Sequence, residues 1–296
     1  MSKAEFAITI GNFDGLHLGH RALIESTLQA SNSFAGKSAL VTFDPHPQEV
    51  LGKRPVERIN SRFHQEQLLN QAGLDEVKTL SFTKEFSELS PEGFVKRFLV
   101  EPYSLSQVVV GYDFRFGCKR AGDFKTLETL GKQLGFIVQE VPPLQLDGKT
   151  VSSTLVRQII RENQFERLPM YLGRPYGIRG SVETGDQRGR MLGFPTVNIN
   201  PHVNLALNKG VYVSRVCWQG KQFLGVSNFG TRPTFQKDQD LLETHLLDEN
   251  IDLYGEIIEI QPLAFLRQVV KFSSPDELKA QIVKDIQQAR NYLKRS

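Results

Sequence analysis

The chain has 296 residues, with 36 Lys+Arg against 33 Asp+Glu and only two cysteines, a length for two domains and a composition that folds around apolar cores. Residues 1–170 hold 20 basic and 20 acidic side chains and residues 171–296 hold 16 and 13, so neither half has the basic excess of a nucleic-acid binder. Cys118 and Cys217 form no CxxC pair, which argues against a disulfide framework or zinc site; with no signal-peptide pattern and no apolar run of membrane-spanning length, the expected place is the cytoplasm, off the membrane.

In the first half short apolar runs alternate with amphipathic stretches. Residues 6–10, 39–43, 77–82, 108–111 and 136–141 read as strands, and 16–30, 61–72, 91–99 and 124–134 as helices. This rhythm predicts a parallel sheet wrapped by helices, with ligands at the carboxyl ends of the strands. The first strand runs into GNFDGLHLGH at 11–20, which sets His17 and His20 on one face of a helix start. Unpaired N–H groups and the helix dipole attract phosphate there; the alternative is two solvated histidines. The strand at 108–111 leaves Asp113 in a loop, either to hold a ribose hydroxyl or base amine or only to turn the chain. VSSTLVRQII at 151–160 presents Ser153, Thr154 and Arg157 at another helix start, either a phosphate grip or a plain cap with an exposed arginine.

Residues 168–175, with two prolines and a glycine, read as a boundary. Beyond it, 176–183, 211–218, 223–229, 242–247 and 257–260 are short alternating runs, which predict a small antiparallel barrel or sandwich. A helix at 275–293, capped by Ser274, is expected to cover it. No Walker A loop is present. If FPTVN at 194–198 is extended, Thr196 and Asn198 face one side, either as oxygen donors to Mg²⁺ and a nucleotide phosphate or as a plain edge-strand pair. Glu243 stands within a leucine-rich run, either as a base or as a solvent-facing carboxylate.

Four stretches in order, GNFDGLHLGH, TFDPHP at 42–47, VGYDFRFG at 110–117 and SSTLVR at 152–157, resemble the motifs of the bacterial bifunctional riboflavin kinase/FMN adenylyltransferase family, the prokaryotic FAD synthetases. GRPYGIRGSVETGDQRGRMLGFPTVNI at 173–199, SNFGTRPTF at 227–235, LETHLLD at 242–248, DLYG at 252–255 and LRQVVKF at 266–272 resemble its riboflavin kinase module. The resemblance spans nearly the whole chain. It departs in a shorter stretch before the first strand and in Asn208, where the family usually has proline. It implies an α/β parallel-sheet, Rossmann-like nucleotidylyltransferase domain at 1–170, then a small antiparallel β-barrel riboflavin kinase domain with a C-terminal helix at 171–296. The implied chemistry is ATP- and Mg²⁺-dependent phosphorylation of riboflavin to FMN in the second domain and adenylylation of FMN to FAD, releasing pyrophosphate, in the first.

The resemblance also implies roles. Glu243 would be the base for the riboflavin 5′-hydroxyl, Thr196 and Asn198 the metal-binding pair, and Arg267 a flavin-side cation. Gly185 and Arg190 would bracket a flap over ATP, with Arg190 near the phosphates. In the first domain His17, His20 and Arg157 would supply cationic or donor groups. Ser153 and Thr154 would grip phosphate, with Asn12 a second donor and Asp113 orienting the nucleotide. Phe43, His46, Pro47 and Phe114 would wall an isoalloxazine pocket.

Overall fold

The computed structural model describes residues 4–52, 56–184, 192–232, 239–249 and 251–294. The chain forms two compact units, one of Met1–Val56 and Gln67–Ser152, the other of Glu57–Glu66 and Ser153–Ser296.

In chain order the elements up to residue 150 are β1 (Glu5–Ile10), α1 (Leu18–Ser33), β2 (Lys37–Asp44), α2 (Pro47–Leu51), α3 (Arg62–Asn70), β3 (Glu76–Ser81), α4 (Lys84–Ser87), α5 (Pro91–Val95), β4 (Ser104–Gly111), α6 (Phe124–Leu134), β5 (Ile137–Val141), β6 (Gln145–Leu146) and β7 (Lys149–Thr150). Five strands form an all-parallel sheet in the order β3-β2-β1-β4-β5. The last four residues of β1 are all buried, as a central parallel strand covered on both faces requires. Alternation sends Ile8 and Ile10 to a core with Val41, Val108, Phe94 and Leu127, and Ala7 to the other face with Val109 and Ala30. The predicted helix at 91–99 becomes α5 followed by a π turn over Lys96–Val100. Strand order reverses between β1 and β4, so the crevice for a ligand lies at their carboxyl ends.

The second unit continues with α7 (Ser153–Arg161), α8 (Leu168–Leu172), β8 (Ile178–Glu183), β9 (Thr196–Ile199), β10 (Gly210–Trp218), β11 (Lys221–Arg232), β12 (Gln239–Leu246), β13 (Ile257–Arg267) and α9 (Pro275–Leu293). Six strands close an antiparallel barrel in the order β10-β11-β12-β9-β8-β13. The short β9 decides barrel over sandwich: it pairs with β12 on one side and β8 on the other, which leaves no open edge. Within 168–175, α8 buries Leu168, Tyr171 and Leu172 completely. Helix α9 starts on its Ser274 cap and covers Val211, Val213 and Val226 with Ile286, Ala289 and Tyr292.

Residues 57–66 form a strap on the barrel side of this division. Arg58 donates its N–H to the Asn204 carbonyl at 2.7 Å and accepts from Ala206 N–H at 2.8 Å, while Arg62 N–H reaches the Pro201 carbonyl at 3.1 Å. Ser61 donates to the Arg179 carbonyl, and His64 Nδ1 lies 3.0 Å from the Gly177 carbonyl oxygen. Burial, helped by Arg174 and opposed by Glu259, pushes the His64 pKa down to about 4, so the ring sits there neutral.

Candidate active sites

The first site grows out of the end of β1. Gly11 extends the strand pairing by donating to Val41 C=O at 3.1 Å, and the chain then turns through Phe13, Gly15 and Leu16, all at positive φ (50°, 81° and 39°). For the two non-glycine residues this conformation costs on the order of 1 kcal/mol each. It is held because both side chains are buried in a cluster with Ile24, Leu40 and Leu69. His17 caps α1: its Nδ1 accepts the His20 N–H at 3.3 Å. The ring proton therefore sits on Nε2, a donor at the positive end of the helix. The two imidazoles stack at 3.6 Å between centroids and 16° between planes, with the Phe13 ring 5.1 Å from that of His20. The helix begins two residues later than the sequence pattern suggests, which makes His17 its cap rather than a first-turn residue.

Asn12 is exposed and its carbonyl accepts from Thr42 Oγ1 at 3.4 Å. On the adjacent strand the chain leaves β4 in a turn closed by Phe114 N–H to Gly111 C=O at 3.0 Å. Asp113 Oδ1 lies 3.6 Å from where a Cβ on Gly111 would stand, so the carboxylate sits over the end of β4. Asn12, His17, His20 and Asp113 thus all follow the carboxyl ends of the neighbouring strands β1 and β4.

Phe43 belongs to a ring cluster with Phe82, Phe86 and Phe94 at centroid distances of 5.9, 5.8 and 6.4 Å, and Phe114 stacks on Phe116 at 5.3 Å. His46 is buried as the cap of α2, its Nδ1 accepting Gln48 N–H at 3.1 Å, and Pro47 is the first helical residue, where its missing N–H costs nothing. Among the described ring contacts none joins Phe43 to Phe114. Ser153, Thr154 and Arg157 open α7 in the second unit, where Arg157 Nε donates to the Glu57 carbonyl at 2.7 Å.

The second site is a row across the barrel. Asn198 on β9 stands opposite Glu243 on β12 and Glu183 on β8, and Glu243 stands opposite Asn228 on β11. Paired residues of antiparallel strands share a face. Their flanking residues Ser227, Phe229, Leu242, Thr244 and Ile199 are fully buried on the inner face, so Glu183, Asn198, Glu243 and Asn228 line up on the outer one. Thr196, two residues before Asn198, shares it. Thr196 and Asn198 also line a cavity of about 330 Å³ with Glu249, Asp252 and Tyr254. Asn198 is 3% exposed, and among the described residues its Oδ1 is buried without a hydrogen-bond donor. Gly185 and Arg190 lie outside the described residues.

The FAD synthetase family model matches residues 1–155 and the riboflavin kinase family model residues 172–293. A bifunctional riboflavin kinase/FMN adenylyltransferase of Buchnera aphidicola subsp. Schizaphis graminum is 37% identical over 291 residues, 97% of this chain and 93% of that protein. That of Escherichia coli K12 is 37% identical over 288 residues, 96% and 92% of the respective chains. The chain belongs to the bifunctional riboflavin kinase/FMN adenylyltransferase family. A solved structure described as a macrolide-efflux protein from Streptococcus pneumoniae is similar over 98% of this chain and 95% of that one, with a TM-score of 0.77 and 27% identity. As a riboflavin kinase/FMN adenylyltransferase, the enzyme forms FMN with its C-terminal half and FAD with its N-terminal half. Among its described residues no helix is long and apolar enough to cross a membrane.

Arg267, expected on the flavin side, is engaged in this enzyme by its own chain. Nε and an Nη donate to Asp285 on α9 at 3.0 and 2.7 Å, and the other Nη donates to Gln268 C=O at 3.1 Å. The Asp285 side chain is 3% exposed. Removing the arginine strands a buried carboxylate, so Arg267→Ala is expected to lower stability by about 3 kcal/mol, read as a drop in denaturant midpoint. A lysine cannot restore the two-pronged bond, so Arg267→Lys should recover only part. Unchanged stability together with weakened riboflavin binding would instead assign the arginine to the flavin.

Two features escape sequence reading in this family member. Glu183 and Asn228 join the site only through cross-strand register, although alternation within 226–230 points Asn228 away from the buried Phe229. Asn208, the departure from the usual proline, donates Nδ2 to Arg161 C=O at 2.7 Å and to Asn163 Oδ1 at 3.3 Å, bonds that proline cannot make.

Proposed function

We propose that Glu243 takes the proton of the riboflavin 5′-hydroxyl while Thr196 and Asn198 hold Mg²⁺ and the phosphates of ATP. The observation that carries this reading is the buried Oδ1 of Asn198, which has no donor among the described residues, beside Glu243. A buried acceptor left unsatisfied costs about 1–3 kcal/mol, and a hard cation answers that cost with an oxygen ligand. Asn198 and Thr196 supply neutral oxygens, which suits a cation shared with phosphate groups. Mg²⁺ bound there would neutralise charge on the transferring phosphoryl group. Glu243, between the cation side and Asn228, would turn the hydroxyl oxygen toward the γ-phosphorus as it accepts the proton, and ADP leaves.

In the N-terminal reaction a phosphate oxygen of FMN attacks the α-phosphorus of ATP and pyrophosphate departs. The nucleophile is already an anion, so no protein base is required and positioning with charge neutralisation supplies the rate. His17 and His20 would donate to the phosphates from the start of α1, with Asn12 beside them. Asp113 would orient the nucleotide, while Ser153, Thr154 and Arg157 would grip phosphate. Phe43, His46, Pro47 and Phe114 would wall the flavin. The enzyme's partners in this reading are ATP, riboflavin, FMN and FAD, in the cytoplasm, without nucleic acid or a membrane surface.

Asn198→Ala and Thr196→Ala test the cation assignment. Each is expected to raise the Mg²⁺ concentration for half-maximal FMN formation at least about tenfold, leaving the Mg²⁺ dependence of FAD formation from FMN as in the parent. Chromatography of the flavins across a Mg²⁺ titration reads both. An unchanged requirement for FMN formation sinks the assignment.

A further inference from the structure

We infer that Asn228 binds the ribityl chain of riboflavin beside Glu243, taking the 4′-hydroxyl and so presenting the 5′-hydroxyl to the carboxylate. The inference rests on the reading of Glu243 as the base. Across the outer face the order is Glu183, Asn198, Glu243, Asn228. With the cation and nucleotide at Asn198 and the cavity beside it, the acceptor must approach Glu243 from the opposite strand. That strand is β11, and the side chain it presents is Asn228.

The neighbouring glycine points to a ligand independently. Gly180, Gly210 and Gly225 in the barrel strands are dictated by packing, since an added Cβ would come within 2.7, 2.4 and 2.7 Å of Ile199, Phe265 and Thr244. Gly230 shows no such cause among the described residues. Its φ is not positive, and among the described residues the only atom within 4 Å of an added Cβ is Asn228 Nδ2 at 3.9 Å. A strand glycine without a conformational or packing reason marks the close approach of something outside the strand. Gly230 lies two residues from Asn228, on the same face, so the open space borders the amide.

The chemistry of the side chain fits a polyol. An amide both donates and accepts, as a hydroxyl does, whereas a lysine or arginine at this position would pair with Glu243 and weaken it as a base. Asn228 is half-buried, so its side-chain amide is within reach of a substrate on the outer face. Adjacent side chains on paired strands lie about 5 Å apart at Cβ, so their polar ends converge on vicinal hydroxyls.

The test compares riboflavin with 4′-deoxyriboflavin as phosphoryl acceptors. Asn228→Ala is expected to lower kcat/KM for riboflavin about five- to tenfold and to leave that for 4′-deoxyriboflavin at the parent's value. Equal losses with both acceptors, or no loss with either, overturn the inference. Should Asn228→Ala fail to fold, judged by melting and by FAD formation from FMN, Gly230→Ala carries the test: it is expected to raise KM for riboflavin without moving KM for ATP, and an unchanged riboflavin KM counts against the site. Failure of the Glu243 reading shows separately, as FMN formation that survives Glu243→Ala.

Discussion

Glu243→Ala is expected to reduce FMN formation from riboflavin by about 10²- to 10⁴-fold, while FAD formation from supplied FMN continues at the parent's rate. The carboxylate stands between a buried amide oxygen on β9 and an amide on β11, on the outer face of a barrel whose inner face is packed by Leu242 and Thr244. Truncating an outward side chain leaves that packing intact, so the loss belongs to chemistry rather than folding. Glu243→Gln separates the base from its shape: the amide keeps the volume but takes up no proton, and should be nearly as inactive as alanine. Initial rates from riboflavin and from FMN, with flavins resolved by chromatography, read the two halves in one preparation. A glutamine variant within a few fold of the parent rules out proton transfer as the role of Glu243, and loss of both activities denies the separation of sites.

The paired change His17→Ala with His20→Ala is expected to cost FAD formation about 10²- to 10³-fold and to leave FMN formation in place. The physical complication is that His17 is also the cap of α1, and losing a cap lowers stability by about 1 kcal/mol. His17→Asn resolves the two contributions. Asparagine is among the best caps and restores the bond to the helix N–H groups, yet it cannot stack on His20 or present an Nε2–H. It should melt like the parent and still be slow in FAD formation. If His17→Asn makes FAD at the parent's rate, the histidine is a cap and nothing more.

Most of the first unit was legible because a parallel sheet writes itself locally. Buried strands such as β1 and β4 are continuous apolar runs and the helices between them are amphipathic, so element type and order follow from the pattern. The position of Asp113 beside the His17 turn followed from the same rule, since both come after strand ends. The barrel was less legible. At Thr196–Ile199 the closing strand β9 is four residues long, too short to display a period, and only its pairing on both sides turns a sandwich into a barrel. Glu183 and Asn228 reach the site through register, a relation between distant segments that no window of sequence contains. The bond from Arg267 to Asp285 escaped notice for a related reason: the two lie 18 residues apart on different elements, and nothing in the sequence around Asp285 shows that it is buried.

The strap at Glu57–Glu66 bears on how the chain comes into being. Its backbone partners Pro201, Asn204 and Ala206 are more than 130 residues downstream, and contacts of such sequence separation form late because the long loop must close first. During synthesis from the amino end, the parallel sheet has all its strands once residue 141 has emerged. The strap, already made, meets its first partners at Arg157, Gly177 and Arg179 and its backbone partners only when residues 201–206 follow. Assembly of the barrel unit therefore includes a return to a segment translated long before it.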